Sequence, residues 1–404
     1  MTNPRLRYVR THPIQQDGYD GFLLEDPLHL SSTHIYVPRA LAPLLPLMDG
    51  TRDVRGLQVG VQLRYGYYIP TELIEQLVQA LDEALMLENE RFWEAKERAL
   101  AEYREAPYRP PAHADAVYPA DPEALREALE AYEARVTELP PPLDVPVRAV
   151  ISPHIDYQRG GPVYAGVWRY AADAVRNAER VIVLGTDHNG DLGTITLTRQ
   201  HYATPYGVLP TDQDVVDKLV RVLGEEDAFR EELHHRSEHS IELALVWLHH
   251  VREGAPVEVV PILLGSFAHF TAGQAHPQED ERLNRVIEVL QAASEEKPTL
   301  LVAGADLAHV GPAFGDPRPW TAADKARLRQ ADEELIQAMR RGDASAFFSS
   351  IAAVEDRYRI CGLPPIYVLL RVLGGGQGVL TGYDQCPADA QNGSVVSVCG
   401  VAIA

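Results

Sequence analysis

The sequence predicts an α/β fold: a three-layer αβα sandwich with a largely parallel central sheet, preceded by a small winged-helix-like module. Three observations carry that prediction. From residue 147 onward, short apolar runs (147–151, 180–184, 257–264, 299–303, 378–380 and 394–402) alternate with amphipathic stretches. The runs are almost continuously apolar, as strands are when helices cover both faces of their sheet. Before residue 147 the texture differs, and prolines at Pro107, Pro110-Pro111 and Pro140 to Pro142 punctuate it.

Residues 1 to about 20 are polar and read as irregular. Phe22-Leu23-Leu24 and His34-Ile35-Tyr36-Val37 read as short strands around an Asp26-Pro27 turn. A first helix is expected from Pro38 to about Met48. Asp49-Gly50 turns the chain into a second helix over 54–65. Pro70-Thr71 open a third, with Leu73, Leu77, Leu81 and Leu85 as its expected buried face. Together these make a module over 1–88. Its phrase Leu47-Met48-Asp49-Gly50-Thr51-Arg52-Asp53-Val54 resembles the PqqD-like winged-helix domains, which implies a peptide ligand; a packing module without one is the alternative. Residues 89–109 are charged and helix-prone, then proline-rich, and read as a linker. The α/β domain is expected over 110–404. Its helices are predicted at 122–136, 163–177, 214–223, 237–252, 280–294, 322–341, 344–353 and 366–373.

A chain of 404 residues has room for two domains and a sizeable core. Its 37 basic and 58 acidic residues leave a net charge of −21, which repels nucleic acid and anionic lipid. Three cysteines (Cys361, Cys386 and Cys399) without a Cys-x-x-Cys pair argue against a disulfide scaffold. No run of eighteen apolar residues exists to span a membrane, and the first twenty residues lack a signal-like apolar core. A cytoplasmic protein is expected.

Ligands of open α/β sheets bind just beyond the carboxyl ends of the strands. Three runs deliver a histidine there: Ser152-Pro153-His154, Gly185-Thr186-Asp187-His188, and Gly304-Ala305-Asp306-Leu307-Ala308-His309. If the three strands are neighbours, the imidazoles converge. Imidazole binds metals and moves protons near neutral pH. Asp306 lies three residues before His309, within reach of orienting it, whereas Asp187 reads as a loop residue.

Two further clusters join them. In Arg236-Ser237-Glu238-His239-Ser240, Ser237 is the expected N-cap and Glu238 suits the first helical turn. His239 fits neither role, since a cation there is disfavoured, which leaves open a neutral His239 facing a site. His234, His235, His249 and His250 are expected to be solvated. Cys361 precedes Gly362-Leu363-Pro364-Pro365 at a helix start, where a thiol pKa is expected to fall; a buried apolar cysteine is the alternative. Cys399 reads as a buried strand residue and Cys386 as a loop residue. Gly160-Gly161-Pro162 is expected to precede a helix and offer it an anion-binding end.

Read together and in order, Val117-Tyr118-Pro119-Ala120-Asp121-Pro122, Pro153-His154, Leu184-Gly185 with His188, Glu238-His239-Ser240, Asp306 with His309, and Cys361-Gly362 with Pro365-Ile366 resemble the Memo family, called AmmeMemoRadiSam system protein B in prokaryotes. The resemblance implies a fold similar to the class III extradiol dioxygenases. It implies His154, His188 and Cys361 as ligands of one metal ion, His309 with Asp306 as the acid/base pair, and Glu238 and His239 lining the same pocket. A radical-SAM protein and an AMMECR-type protein are the implied companions. A thiolate in the ligand set favours copper or zinc over the two-histidine, one-carboxylate pattern of ferrous oxygenases, so copper, iron and zinc all remain candidates. Two function classes follow: a metal-dependent oxidoreductase, or a non-catalytic module binding a peptide or protein in the same cleft.

Overall fold

In the computed structural model, which describes residues 3–16 and 18–404, each apolar run from residue 147 onward is a strand of one sheet. The chain divides into two compact units, Met1–Glu105 and Ala106–Ala404.

The first unit opens with an antiparallel sheet of β1 (Arg10–Gln16), β2 (Tyr19–Glu25) and β3 (Ile35–Pro38). Strand β1 therefore lies where an irregular stretch was expected; residues 1, 2 and 17 fall outside the described residues. The helix expected from Pro38 is instead a 3-10 turn at Ala42–Leu47, because Pro43 and Pro46 remove the amide donors an α-helix needs. Helices α1 (Val54–Tyr65), α2 (Thr71–Glu83) and α3 (Glu90–Glu105) follow. The buried face of α2 is Ile74, Leu77, Val78 and Leu81, while Leu73 is 42% exposed and Leu85 lies past the helix end at φ 58°. A repeat of four drifts about 40° per step, so it cannot stay on one face. The charge of residues 89–105 is the outer side of α3, whose Phe92, Ala95, Ala99 and Tyr103 are buried.

The second unit runs α4 (Pro122–Glu133), β4 (Ala149–Ser152), α5 (Tyr157–Tyr170), α6 (Ala172–Asn177), β5 (Arg180–Thr186), β6 (Ile195–Leu197), β7 (Tyr202–Thr204) and β8 (Gly207–Leu209). Then come α7 (Gln213–Leu223), α8 (Glu225–Phe229), α9 (His239–Val251), β9 (Glu258–Leu264), α10 (Ala268–Thr271), α11 (Glu281–Glu296), β10 (Thr299–Gly304) and β11 (His309–Val310). Helices α12 (Ala322–Arg340), α13 (Ala344–Ala352) and α14 (Leu363–Leu373) precede the hairpin of β12 (Gly378–Pro387) and β13 (Val395–Ile403). The sheet order is β11-β13-β4-β10-β5-β9-β6, with β12 on β13. The four central strands β4, β10, β5 and β9 are parallel and the outer ones antiparallel.

Alternation along each strand builds the layers. Val181 and Val183 enter one core with α4, α5, α6 and α9; Ile182 and Leu184 enter the other with α7, α11, α12 and α14. The result is the expected three-layer α/β sandwich. Helix α5 starts earlier than expected, capped by Asp156, so Gly160 and Gly161 are buried inside it and form no anion-binding end. They are glycines for space: a Cβ on Gly161 would sit 2.3 Å from the Tyr132 ring. Among the described residues no helix is long and apolar enough to cross a membrane.

Candidate metal centre

Strands β4, β10 and β5 are adjacent, and their ends are in register: Ser152 pairs with Gly304, and Gly304 with Gly185. The segments carrying His154, Asp306 and His188 therefore leave the sheet side by side. Gly304 and Gly185 are required there because α9 crosses close above them. A Cβ on Gly304 would lie 2.1 Å from the Ser240 carbonyl oxygen, and one on Gly185 2.6 Å from Ser240 Oγ. The crossing brings the N-terminus of α9, with Glu238 and His239, over the strand ends.

The loop before α14 completes the arrangement. The Gly362 N–H donates to the Asp306 carbonyl at 3.0 Å, and Thr186 Oγ1 donates to the Cys361 carbonyl at 3.0 Å. These bonds hold Cys361 Sγ 3.2 Å from His154 Nε2. One donor atom each of His154, His188 and Cys361 lies within 4.8 Å of the others, a spacing at which one ion can hold all three. His188, Glu238 and His239 satisfy the same criterion.

Each of the two imidazoles has one ring nitrogen engaged. His154 Nδ1 donates to the Gly304 carbonyl at 2.9 Å, leaving Nε2 as the free lone pair. His188 Nδ1 lies 3.0 Å and 3.1 Å from the two Glu238 oxygens, and the ring also hydrogen-bonds the Cys361 side chain. Metal-binding histidines are commonly fixed by a carbonyl or carboxylate in this way. Burial pulls the His154 pKa down to about 4, despite the neighbouring Asp306, so its imidazole is neutral. Burial also opposes a charge on His188, but Glu238 and the Cys361 thiol outweigh it and raise the pKa. The Cys361 thiol is raised rather than lowered: desolvation exceeds the help it gets from His188.

Glu238, not Ser237, is the N-cap of α9, accepting from the His239 and Ser240 amides at 2.8 Å and 3.0 Å. His239 stacks on His188, with ring centroids 4.8 Å apart, and meets the His154 ring edge-on at 5.1 Å. Asp306 serves His154 more than His309. Its Oδ1 accepts from the His154 and Ile155 amides at 2.8 Å and 3.2 Å, and Oδ2 is 3.7 Å from His154 Nε2. His309 opens the short edge strand β11, packs edge-on against Phe314, and has Leu307 O as the partner of Nδ1 at 3.2 Å. Burial lowers the His309 pKa, partly offset by Asp306.

A supporting network escaped the sequence reading. Arg109 and Glu242 form a fully buried ion pair. Arg109 donates to the His235 and Glu238 carbonyls, while Glu242 accepts from the amides of Ala112 and His113 and from the Tyr118 hydroxyl. His113 Nε2 is 2.9 Å from the Ser237 carbonyl, and its ring meets His239 edge-on at 5.8 Å. The histidines expected in solvent also find partners. His235 is buried between Tyr202 OH and Thr196 O, His249 between Thr204 and Gly254 O, and His234 against Asp187; His250 meets Tyr206 OH. Cys386 is buried in β12 rather than in a loop, and Cys399 is buried in β13 as expected.

Known proteins resemble this chain over most of its length. A family model described as "Memo-like protein" matches residues 109–402. A "MEMO1 family protein" of Aquifex aeolicus is 28% identical over 389 residues, covering 95% of this chain and 96% of its own, so the likeness takes in the first unit too. A "MEMO1 family protein" of Methanopyrus kandleri is 30% identical over 68% of this chain and 91% of its own. One from Thermus thermophilus is 29% identical over 82% and 93%. With that family model running through nearly all of the second unit, the chain belongs to the Memo-like family.

Proposed function

We propose that this Memo-family chain is a metal-dependent oxidoreductase of extradiol-dioxygenase ancestry, with His154, His188 and Cys361 holding the metal. The convergence of those three donor atoms within 4.8 Å carries the reading. The residues fit a metal by their chemistry: two imidazoles with the far nitrogen already occupied, and a thiol beside them. That soft donor set suits copper best, with iron and zinc as alternatives. When bound, the ion supplies a Lewis-acid or one-electron centre in a partly enclosed site.

The chain's own residues do the rest. Glu238 keeps His188 in one tautomer, and Asp306 clamps the backbone on both sides of the His154 peptide. His309, buried and with a lowered pKa, is suited to take a proton from substrate and return it. The partly exposed ring of His239 stacks beside His188. A radical-SAM protein and an AMMECR-type protein remain the proposed companions of an AmmeMemoRadiSam-type system, and a peptide the proposed ligand of the first unit.

The test is elemental analysis of protein purified without chelator or histidine tag, comparing wild type with His154→Ala, His188→Ala and Cys361→Ala. About one ion per chain, lost in each variant, is expected. Wild type that stays empty after reconstitution with copper, iron and zinc overturns the reading in favour of a peptide- or protein-binding cleft. His309→Ala should retain the ion.

A further inference from the structure

We propose a second cation site, formed by Asp187, Glu231 and His234, that takes a divalent ion of the Mn2+, Fe2+ or Zn2+ class and holds the loop carrying His188. It shares no residue with the His154, His188 and Cys361 centre and stands whether or not that centre is occupied.

The donors come from two segments. Asp187 is the first residue beyond β5. Glu231 and His234 are three apart at the start of a 3-10 turn, Glu232–Arg236, and side chains three apart share one side of such a turn. One donor atom from each of the three lies within 4.8 Å of the others. His234 Nδ1 is 2.9 Å and 3.0 Å from the Asp187 oxygens and 3.9 Å from Glu231 Oε2. The Asp187 side chain is fully buried, while those of His234 and Glu231 are 10% and 13% exposed, which leaves a narrow way in for an ion.

Two features ask for a cation. Glu231 Oε2 is buried and accepts no hydrogen bond; His234 Nδ1 lies 3.9 Å from it, and the Asp191 amide is the backbone donor to the same carboxylate. An unpaired buried carboxylate oxygen is costly, and native structures seldom leave one. The charge is also unbalanced: two carboxylates face one imidazole, and Asp191, although its amide donates to Glu231, brings a third carboxylate near it. A dication among them supplies the missing partner and cancels the excess. Two carboxylates and one imidazole are hard to borderline donors, which separates this site from the thiol-containing centre.

The consequence for His188 is positional. Asp187 Oδ1 accepts from the Asn189 amide at 3.1 Å, and a Cβ on Gly190 would lie 2.7 Å from the Asp187 carboxylate. The loop is wrapped tightly around the Asp187 side chain, so an ion on that carboxylate holds the residues on both sides of His188.

The test uses the full chain stripped with chelator, titrated with Mn2+ by electron paramagnetic resonance and with Zn2+ by equilibrium dialysis. Wild type should take two equivalents of Zn2+. Cys361→Ser should lose one, and Glu231→Gln or His234→Gln the other. Mn2+ should bind wild type and Cys361→Ser alike, with affinity falling about tenfold or more in Glu231→Gln. Adding Mn2+ should also raise the melting temperature of wild type and of Cys361→Ser. Zn2+ stoichiometry unchanged in Glu231→Gln, or no Mn2+ effect on wild-type melting, overturns the proposal. If Glu231→Gln loses an equivalent but Cys361→Ser does not, the His/His/Cys reading fails and this one stands.

Discussion

Glu238 Oε2 lies 3.0 Å from His188 Nδ1, while Oε1 of the same carboxylate caps α9 through the His239 and Ser240 amides. One side chain therefore fixes both the His188 imidazole, a proposed ligand, and the helix that covers it. Its pKa is held well below the usual carboxylate range: burial opposes the charge, but His188 and His239 outweigh it.

Glu238→Gln keeps an oxygen for the helix cap but loses the charge that orients His188. The expected result is metal affinity about 10–100-fold weaker. The loss of stability should stay within the range of a damaged cap, about 0.5–2 kcal/mol. Competition against a chelator of known affinity, with a thermal melt alongside, checks both. Unchanged affinity would mean that Glu238 only caps α9.

Gly362→Ala should loosen Cys361 without touching a ligand. The added Cβ would sit 2.4 Å from the Asp306 carbonyl oxygen and 2.8 Å from Ala305 Cβ, so one of the two loops must shift. Such overpacking costs about 1–3 kcal/mol. The ion should bind more weakly than in wild type, whereas Gly382→Ala, whose added Cβ would meet Val163 only at ordinary contact distances of 3.4 Å and more, should leave binding unchanged. Parallel metal titrations of the two variants make the comparison.

The residues at the strand ends were legible because topology does the placing. His154, His188 and Asp306 follow apolar runs at short, similar distances, and the parallel register does the rest. What supports them was not legible. Arg109 and Glu242 are 133 residues apart, and His113 meets Ser237 across 124. No local period or spacing links such pairs. The solvated reading of His234, His235 and His249 failed for the same reason, since their partners Asp187, Tyr202 and Thr204 come from distant loops and strands. Short edge strands such as β6 and β11, two or three residues long, carry too little pattern to be seen.

The Arg109–Glu242 pair should behave as a buried ion pair whose halves depend on each other. Both side chains are almost wholly inaccessible. Removing one partner, as in Arg109→Met or Glu242→Gln, strands a charge and should cost about 3–5 kcal/mol. The double variant should recover part of that loss. Denaturant unfolding of the four proteins gives the coupling energy. Additive losses would show that the two side chains act separately.

Asp332 offers a prediction about pH that is independent of any metal. It lies on α12, only 1% exposed, and accepts from the Tyr383 hydroxyl at 2.8 Å. Burial raises its pKa from 3.8 to about 6, although Ser397 and Tyr383 favour the charged form. The folded chain therefore holds this proton more tightly than the unfolded chain does. Between pH 4 and 6 the native state binds the extra proton, so this group's contribution to stability falls as pH rises and stays low above about 6. A shift of that size corresponds to roughly 3 kcal/mol. Asp332→Asn keeps the shape and cannot ionise. Relative to wild type it should gain stability as pH rises from 4.5 to 7.5, by about 2 kcal/mol, the part of that shift that lies above pH 4.5. Chemical denaturation of both proteins at the two pH values measures the gain. A difference that does not change with pH would mean the carboxyl titrates normally despite its burial.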